Sequence, residues 1–125
     1  MKKMIFGIGI DLTEISRIER AWEKHPRFIE RVLTPNERSV LANYSGRRQL
    51  EFLAGRFSAK ESFSKAYGTG IGKFVSFSNI EILTDLHSGR PIIAKYPQAD
   101  QFQAFLSISH TDSLVMTEVI LEKQV

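Results

Sequence analysis

The chain contains no cysteine among its 125 residues. This absence excludes a disulfide framework, catalysis by a thiol, and zinc or iron–sulfur centres held by cysteine. Charge of one sign is not in large excess either, because 17 lysines and arginines stand against 14 aspartates and glutamates. The net charge of +3 indicates an anionic ligand or partner, but it does not require nucleic acid.

Long hydrophobic runs are missing as well. The apolar segment Met4–Ile10 near the amino terminus has seven residues and ends at Asp11. A membrane helix needs about 20 apolar residues, and no small-residue cleavage site follows this segment. We therefore expect a cytoplasmic protein without a membrane span. Hydrophobic residues make up 42% of the chain and charged residues 25%, which is typical of one globular domain, here residues 1–125.

The spacing of apolar residues predicts a strand followed by several helices. Met4–Ile10 is apolar and β-branched, which predicts a buried strand with close backbone approach at Gly7 and Gly9. A helix is expected from about Thr13, and a second short helical piece follows it. Thr34 begins the pattern Thr-Pro-Asn-Glu, which is typical of a capping box at the start of the next helix.

The longest predicted helix runs roughly from Arg47 to Tyr67, with Gly68 as its left-handed cap. Gly55 inside this helix suggests a close backbone crossing. The hydrophobic period then changes to two, which predicts a strand at 75–82 with a return strand at 91–94. A second hairpin is predicted from strands at 105–109 and 114–121. A strand, then helices, then strands indicate an α+β fold with an antiparallel sheet.

Two carboxylates stand where a purely structural sequence would not put them. Asp11 follows the first predicted strand, and Glu61 shares a helix face with the apolar Phe57. A carboxylate that points into a core must be paired, protonated or bound to a metal. Asp11 could instead cap the next helix, and Glu61 could pair with Lys60 or Lys65. Together the two oxygen ligands suit Mg²⁺, which typically binds one or two carboxylates and completes its shell with phosphate and water.

Basic side chains accompany these carboxylates. Arg56, Lys60 and Lys65 lie on the same predicted helix as Glu61 and could bind phosphate, although solvated helix charges are the commoner case. A second basic stripe recurs at intervals of three and four residues, and it favours either an ordinary solvated face or a docking edge for an acidic partner. This stripe consists of Arg17, Arg20, Lys24, Arg27 and Arg31.

The glycine-rich segment 68–72 does not form a nucleotide-binding fingerprint. It follows a helix and precedes a strand, whereas the dinucleotide motif follows a strand and opens a helix. His110 ends a predicted strand in Ser107–Thr111, but no Gly-x-Ser-x-Gly elbow accompanies it, so a serine-hydrolase triad is poorly supported.

Four segments together resemble a known enzyme family. They are GIGIDLTEI at 7–15, FLAGRFSAKESFSKA at 52–66, GTGI at 68–71 and SISHT at 107–111. Their order and spacing resemble the small bacterial holo-acyl-carrier-protein synthases, a class of 4′-phosphopantetheinyl transferases. The resemblance covers essentially the whole chain. Ser58 and Ser62 stand where many members carry alanine, and we expect this departure to have little consequence.

The resemblance implies a reaction of fatty acid biosynthesis in which the 4′-phosphopantetheine arm of coenzyme A moves to a serine of apo acyl carrier protein. 3′,5′-ADP is released. The resemblance also implies the 4′-phosphopantetheinyl transferase fold, with an antiparallel sheet packed against a long central helix. It further implies homotrimers with active sites between subunits, and no nucleic-acid or membrane partner. The implied metal ligands for Mg²⁺ are Asp11 and Glu61. The implied phosphate-facing residues are Arg56, Lys60 and Lys65. The implied nucleotide contacts from a neighbouring subunit are Ser109, His110 and Thr111. The implied carrier-protein contacts are Arg17, Lys24, Arg27 and Arg31.

The catalytic groups implied are Glu61 and Lys65. The serine hydroxyl of the carrier protein needs a base, for which Glu61 and a metal-bound water are both candidates.

The competing hypotheses are a small basic module that binds RNA or another polyanion and a purely structural trimer-forming domain. No aromatic ribonucleoprotein motif supports the first, and the second leaves Asp11 and Glu61 without a role.

Overall fold

The computed structural model describes residues 2–124, and the two ends of the predicted domain, Met1 and Val125, lie outside the described residues. Its α+β architecture confirms the fold class predicted from the sequence. The elements in chain order are β1 (Lys3–Glu14), α1 (Ile15–Lys24), α2 (Phe28–Val32), α3 (Pro35–Leu41), α4 (Arg47–Tyr67), a 3₁₀ turn (Phe77–Asn79), β2 (Glu81–Thr84), β3 (Pro91–Lys95), β4 (Phe102–His110) and β5 (Leu114–Gln124).

Two antiparallel sheets carry the strands. β5 lies between β1 and β4 in a three-stranded sheet, while β2 and β3 form a separate hairpin. The long helix α4 packs across one face of the larger sheet. In the register of this sheet, Asp11 of β1 and Ile108 of β4 both lie opposite Thr117 of β5. The carboxylate predicted at the end of a strand therefore lies within the sheet, on a row shared by all three strands.

The predicted helix signals are largely confirmed. Thr34 and Glu37 form a reciprocal capping box at the start of α3. α4 has the predicted limits, and Gly68 follows it in a left-handed conformation with φ of 101°. β1 continues through Glu14, so α1 begins two residues later than the predicted start at Thr13. The expected strand 75–82 is wrong over its first part, because a 3₁₀ turn occupies Phe77–Asn79.

Glycine brings β1 against α4, as predicted for Gly7 and Gly9. A Cβ at Gly7 would lie 1.9 Å from the backbone oxygen of Ala66, and a Cβ at Gly9 would lie 1.9 Å from that of Ser62. These distances leave no space for a side chain, so the two backbones are in direct contact. The crossing predicted at Gly55 is wrong, because within residues 2–124 no atom beyond the backbone of α4 around Gly55 lies within 4 Å of a Cβ built there.

The other face of the sheet is apolar and open. Side chains alternate along a strand, so those between the glycines and beyond them point away from α4. Ile8, Ile10 and Leu12 are 54%, 52% and 62% exposed, and Phe105 and Met116 of the neighbouring strands are exposed as well. The prediction that the first strand is buried is therefore wrong for its outer face, because within the described chain only one layer covers the sheet.

None of the helices within residues 2–124 combines the length and the apolar composition that crossing a membrane requires. This finding agrees with the short apolar runs of the sequence.

A matched pair of glycine substitutions tests the contact between β1 and α4. Gly9→Ala should lower the free energy of unfolding by about 1–3 kcal/mol or more, because its methyl group overlaps backbone atoms of α4. Gly55→Ala should leave it unchanged or raise it by up to about 1 kcal/mol, because alanine is the better helix former and its methyl group meets no neighbour. Urea denaturation measures both. A stable Gly9→Ala variant would contradict the contact.

Candidate active site

The contact between β1 and α4 brings three of the predicted site residues together. The Lys65 ammonium nitrogen lies 3.2 Å from Asp11 Oδ1, and it also donates a hydrogen bond of 3.0 Å to the Ile10 carbonyl. Glu61 lies one turn earlier on α4, on the same side of the helix as Lys65. The structure thus places two carboxylates and one lysine at the edge of the helix–sheet contact.

The carboxylate of Asp11 belongs to the electrostatic surroundings of Glu61. Burial raises the pKa of Glu61, and the charge of Asp11 raises it further. Lys65 and Arg17 act in the opposite direction but do not cancel this effect. Within residues 2–124, the Glu61 side chain has neither a hydrogen bond nor an ion pair. A partly buried carboxylate beside a second carboxylate is a favourable place for a cation.

In residues 2–124, Asp11 does not cap a helix and Glu61 forms no ion pair, although Asp11 is paired with Lys65. Asp11 does not cap α1, because Glu14 is the N-cap residue and no side chain caps that end. The carboxylate of Asp11 instead accepts hydrogen bonds from Lys65 and from the Thr13 hydroxyl. Glu61 does not pair with Lys60, whose ammonium group contacts Glu37.

The donor set fits Mg²⁺. Asp11 and Glu61 offer carboxylate oxygens, the ligands that Mg²⁺ prefers, and burial followed by the charge of Asp11 raises the pKa of Glu61. In the part of the chain that the structure describes, no cluster of three or more histidine and acidic side chains could hold a metal by itself. A metal here would therefore take further ligands from water and substrate, as Mg²⁺ does at phosphate sites.

Lys60 has a structural role that the sequence analysis did not predict. Its side chain is fully buried, and its ammonium group donates to Glu37 Oε1 at 2.6 Å, to the Val32 carbonyl at 2.7 Å and to the Phe77 carbonyl at 3.0 Å. These bonds use all three protons of the ammonium group. The expectation that Lys60 faces phosphate is therefore corrected: in this conformation it has no free donor.

Glu37 is the residue that spacing alone did not reveal as a partner of Lys60. The sequence pattern predicts Glu37 only as the capping-box glutamate of α3. In the structure its Oε1 also accepts from the Thr34 backbone N–H at 2.8 Å, and its Oε2 accepts from the Ile82 N–H at 2.8 Å. One buried carboxylate therefore joins α3, α4 and β2.

Arg56 occupies a different side of α4 from Glu61. Five residues separate the two, which corresponds to about 140° around a helix. The Arg56 guanidinium carbon lies 4.4 Å from the centre of the Phe52 ring, and within residues 2–124 its buried Nε has no hydrogen-bond partner. Burial lowers the pKa of Arg56, while Glu37 and Tyr44 oppose that change. The structure does not bring Arg56 to the Asp11–Glu61 pair.

The predicted nucleotide contacts also lie apart from this pair within one chain. Ser109 and His110 end β4, Thr111 begins the following turn, and all three are exposed. His110 Nδ1 lies 3.9 Å from Glu51 Oε2, near the amino-terminal half of α4.

The predicted docking stripe is an exposed basic surface. Arg17 and Lys24 lie on α1, Arg31 lies on α2, and Arg27 lies between the two helices. Arg27 donates to Glu30 at 2.9 Å, an exposed pair of the kind that contributes little to stability. The positive charge of Arg17 opposes the rise in the pKa of Glu61.

A buried hydroxyl cluster lies behind the pair. Thr117 Oγ1 is 2.8 Å from Ser58 Oγ and 2.6 Å from Ser62 Oγ, and Ser62 Oγ also donates to the Thr117 carbonyl at 3.0 Å. All three side chains are fully buried. The expectation that Ser58 and Ser62 matter little did not anticipate this link between α4 and β5.

Comparisons with known proteins find relatives along nearly the whole chain. Residues 7–119 match the family model described as the 4′-phosphopantetheinyl transferase superfamily. The holo-[acyl-carrier-protein] synthase of Ligilactobacillus salivarius is 58% identical over 120 residues, which cover 96% of this chain and 89% of the relative. The enzyme of the same name from Levilactobacillus brevis is 54% identical over 120 residues, or 96% of each chain.

Solved structures give the same result. A crystal structure of a holo-(acyl-carrier-protein) synthase from Bacillus anthracis in complex with CoA (3′,5′-ADP) matches with a TM-score of 0.88 and 48% identity, covering 97% of this chain and 99% of that chain. The Helicobacter pylori enzyme in complex with coenzyme A matches with a TM-score of 0.79 and 31% identity, covering 91% and 98% of the two chains.

Substitution of Lys60 tests its structural role. Lys60→Met should lower the free energy of unfolding by about 3–5 kcal/mol, because it leaves the buried Glu37 carboxylate without its cation. Adding Glu37→Gln should recover part of that loss. Lys65→Met, which removes a half-exposed lysine from the same helix, should change the free energy of unfolding by no more than about 1 kcal/mol. Chemical denaturation measures all three variants. Equal stability of the Lys60 and Lys65 variants would contradict the role.

Proposed function

The chain belongs to the 4′-phosphopantetheinyl transferase superfamily, and from that premise we propose that it is a holo-[acyl-carrier-protein] synthase. It transfers the 4′-phosphopantetheine arm of coenzyme A to a serine of apo acyl carrier protein, giving the holo protein and 3′,5′-ADP for fatty acid biosynthesis. The single observation that carries the proposal is the meeting of Asp11, Glu61 and Lys65 where β1 contacts α4. Because coenzyme A is an intracellular metabolite, we place this reaction in the cytoplasm.

Asp11 and Glu61 are the proposed ligands of Mg²⁺. When bound, the ion neutralises charge on the pyrophosphate of coenzyme A, which is the main requirement of phosphoryl transfer. Lys65 is the proposed phosphate ligand of this chain, since its ammonium group already lies within 3.2 Å of Asp11 and is half-exposed. Lys60 is left out of the phosphate site because its donors are used inside the protein.

The reaction needs one proton acceptor. The serine oxygen of the carrier protein forms a bond to the phosphorus attached to the pantetheine arm, and the bond from that phosphorus to the oxygen of 3′,5′-ADP breaks. The serine proton must leave as the new bond forms. Glu61 and a metal-bound water are the two proposed acceptors, and burial beside Asp11 raises the pKa of Glu61 in the metal-free chain.

A homotrimer with active sites between subunits is the proposed assembly. The open outer face of the sheet supports self-association, because a contiguous apolar patch of this kind is unusual on a monomer. The number three and the inter-subunit site rest on the family resemblance. In such a site, Arg56 contributes to phosphate binding away from the metal. A neighbouring subunit contributes Ser109, His110 and Thr111 to the nucleotide end.

The acyl carrier protein is the proposed partner of the basic stripe. Acyl carrier proteins are acidic, and exposed cations on α1 and α2 attract such a partner and set its rate of association. The proposed contacts are Arg17, Lys24, Arg27 and Arg31. The charge of Arg17 acts on Glu61, and we propose that the carrier-protein serine is held near this end of the stripe.

Mass spectrometry of apo acyl carrier protein incubated with the enzyme, coenzyme A and Mg²⁺ tests the proposed function. The carrier protein should gain the mass of the phosphopantetheine arm. Asp11→Asn and Glu61→Gln should each reduce the rate at least about 100-fold, because each removes a charged metal ligand. Glu23→Gln, at an exposed position of α1, is the matched control and should retain the rate.

The same assay tests the pH dependence of the metal site. Because the pKa of Glu61 is raised, protonation removes this ligand sooner than it would from an ordinary glutamate as the pH falls. The Mg²⁺ concentration for half-maximal rate should therefore increase on acidification. No mass gain with any of several apo carrier proteins would overturn the proposed function, and wild-type rates in both ligand variants would overturn the metal site.

Mixing two inactive variants tests the inter-subunit site. Glu61→Gln and His110→Ala change residues that we assign to opposite sides of one site. When the two variants are co-expressed, about a quarter of the sites in random cyclic trimers pair an intact Glu61 with an intact His110. Activity should return to about that fraction of wild type, whereas each variant alone stays inactive. Light scattering should give a trimer, and absence of recovery in a confirmed mixed trimer would contradict a shared site.

A further inference from the structure

We propose that Thr13 is a positioning residue that holds the Asp11 carboxylate ready for a divalent cation. The inference rests on the proposed function, in which Asp11 is a metal ligand. Thr13 Oγ1 lies 2.5 Å from Asp11 Oδ2, and the Thr13 side chain is almost completely buried, at 2% exposure. The roles proposed above for Asp11, Glu61 and Lys65 do not explain why a buried hydroxyl lies beside Asp11.

The direction of this hydrogen bond follows from its chemistry. An ionised carboxylate can only accept, so the Thr13 hydroxyl donates to Asp11. The distance lies in the range of charge-assisted O–H···O⁻ bonds, which are stronger than neutral ones. Asp11 Oδ1 accepts from Lys65 instead. Different groups therefore hold the two oxygens, and together they fix the plane of the carboxylate.

Thr13 has no competing task in the part of the chain described. α1 begins at Ile15, its N-cap residue is Glu14, and no side chain caps it. Within residues 2–124, the bond to Asp11 is the side-chain hydrogen bond that the Thr13 hydroxyl makes. The hydroxyl is thus committed to the carboxylate rather than to the start of the helix.

The backbone prepares this contact. Asp11 and Thr13 are two residues apart on β1, so their side chains point to the same face of the sheet, toward α4. Threonine is branched at Cβ and restricted at χ1, and its burial limits it further. The donor is therefore in place before any ligand arrives.

The Thr13 hydrogen bond affects the competition between Lys65 and a cation for the carboxylate oxygens of Asp11. A carboxylate has about four lone-pair positions, so Asp11 can keep the Thr13 bond while its remaining positions contact a metal. Without the hydroxyl, Oδ2 is free to rotate toward the Lys65 ammonium group, which then competes with the metal for both oxygens. Partners of metal ligands typically contribute about 10–100-fold to metal affinity, and we expect a loss in that range.

Binding of Mn²⁺ in the presence of coenzyme A, followed by the electron paramagnetic resonance signal of free Mn²⁺, tests the inference without turnover. Mn²⁺ shares the preference of Mg²⁺ for oxygen ligands. Thr13→Val keeps the shape but removes the hydroxyl, and it should weaken Mn²⁺ binding about 10–100-fold. Thr13→Ser keeps the hydroxyl and should bind within a few-fold of wild type. Thr13→Ala provides a second hydroxyl-free variant in case the valine variant does not fold.

The pattern among the variants decides the outcome. A hydroxyl-free variant that binds Mn²⁺ like wild type would overturn the inference, as would a serine variant that binds no better than the valine variant. The Asp11→Asn variant distinguishes an error in the role of Thr13 from an error in the proposed metal site. If Asp11→Asn loses Mn²⁺ but the hydroxyl-free variants do not, only the role of Thr13 is wrong. If Asp11→Asn binds like wild type, the metal site itself is wrong.

Discussion

The direct backbone contact between β1 and α4 is the constraint on which the rest of the structure depends. It exists because Gly7 and Gly9 have no side chain where the carbonyl groups of α4 approach the strand. The same contact brings Asp11 within reach of Lys65 and close enough to Glu61 to raise its pKa. A residue with a side chain at either glycine would move the helix away from the strand. The candidate site is therefore a product of packing rather than of a flexible loop.

Polar contacts also hold α4, both on the side that faces the sheet and on the side that faces α2 and α3. Lys60 ties the helix to α2, α3 and the 3₁₀ turn, while Ser58 and Ser62 tie it to Thr117 of β5. Glu61 lies between these anchors and remains without a partner in the described chain. A rigid support with one unsatisfied carboxylate is what a preorganised cation site requires, because the ligands need not move when the ion arrives.

Much of this arrangement could be predicted from the sequence, and the exceptions have physical reasons. The Thr34 cap and the limits of α4 follow from local signals, and helical spacing puts Glu61 and Lys65 on one side of α4. That Asp11 of β1 lies near them does not follow from spacing and was expected only from the family resemblance. The ion pair of Lys60 with Glu37 could not be predicted in this way. α4 is buried on several sides, and spacing does not tell which buried face holds an acidic partner. The open outer face of β1 was missed for a similar reason: an apolar strand looks alike whether its cover comes from its own chain or from another.

The central claim is that the Asp11 and Glu61 carboxylates hold one divalent cation at the pyrophosphate of coenzyme A. A crystal structure of the complex with coenzyme A and Mn²⁺, with anomalous diffraction to locate the metal, tests it most directly. We expect an anomalous peak within coordination distance of one carboxylate oxygen of Asp11 and one of Glu61, with phosphate and water oxygens as the further ligands. A bound coenzyme A whose metal contacts neither carboxylate would contradict it.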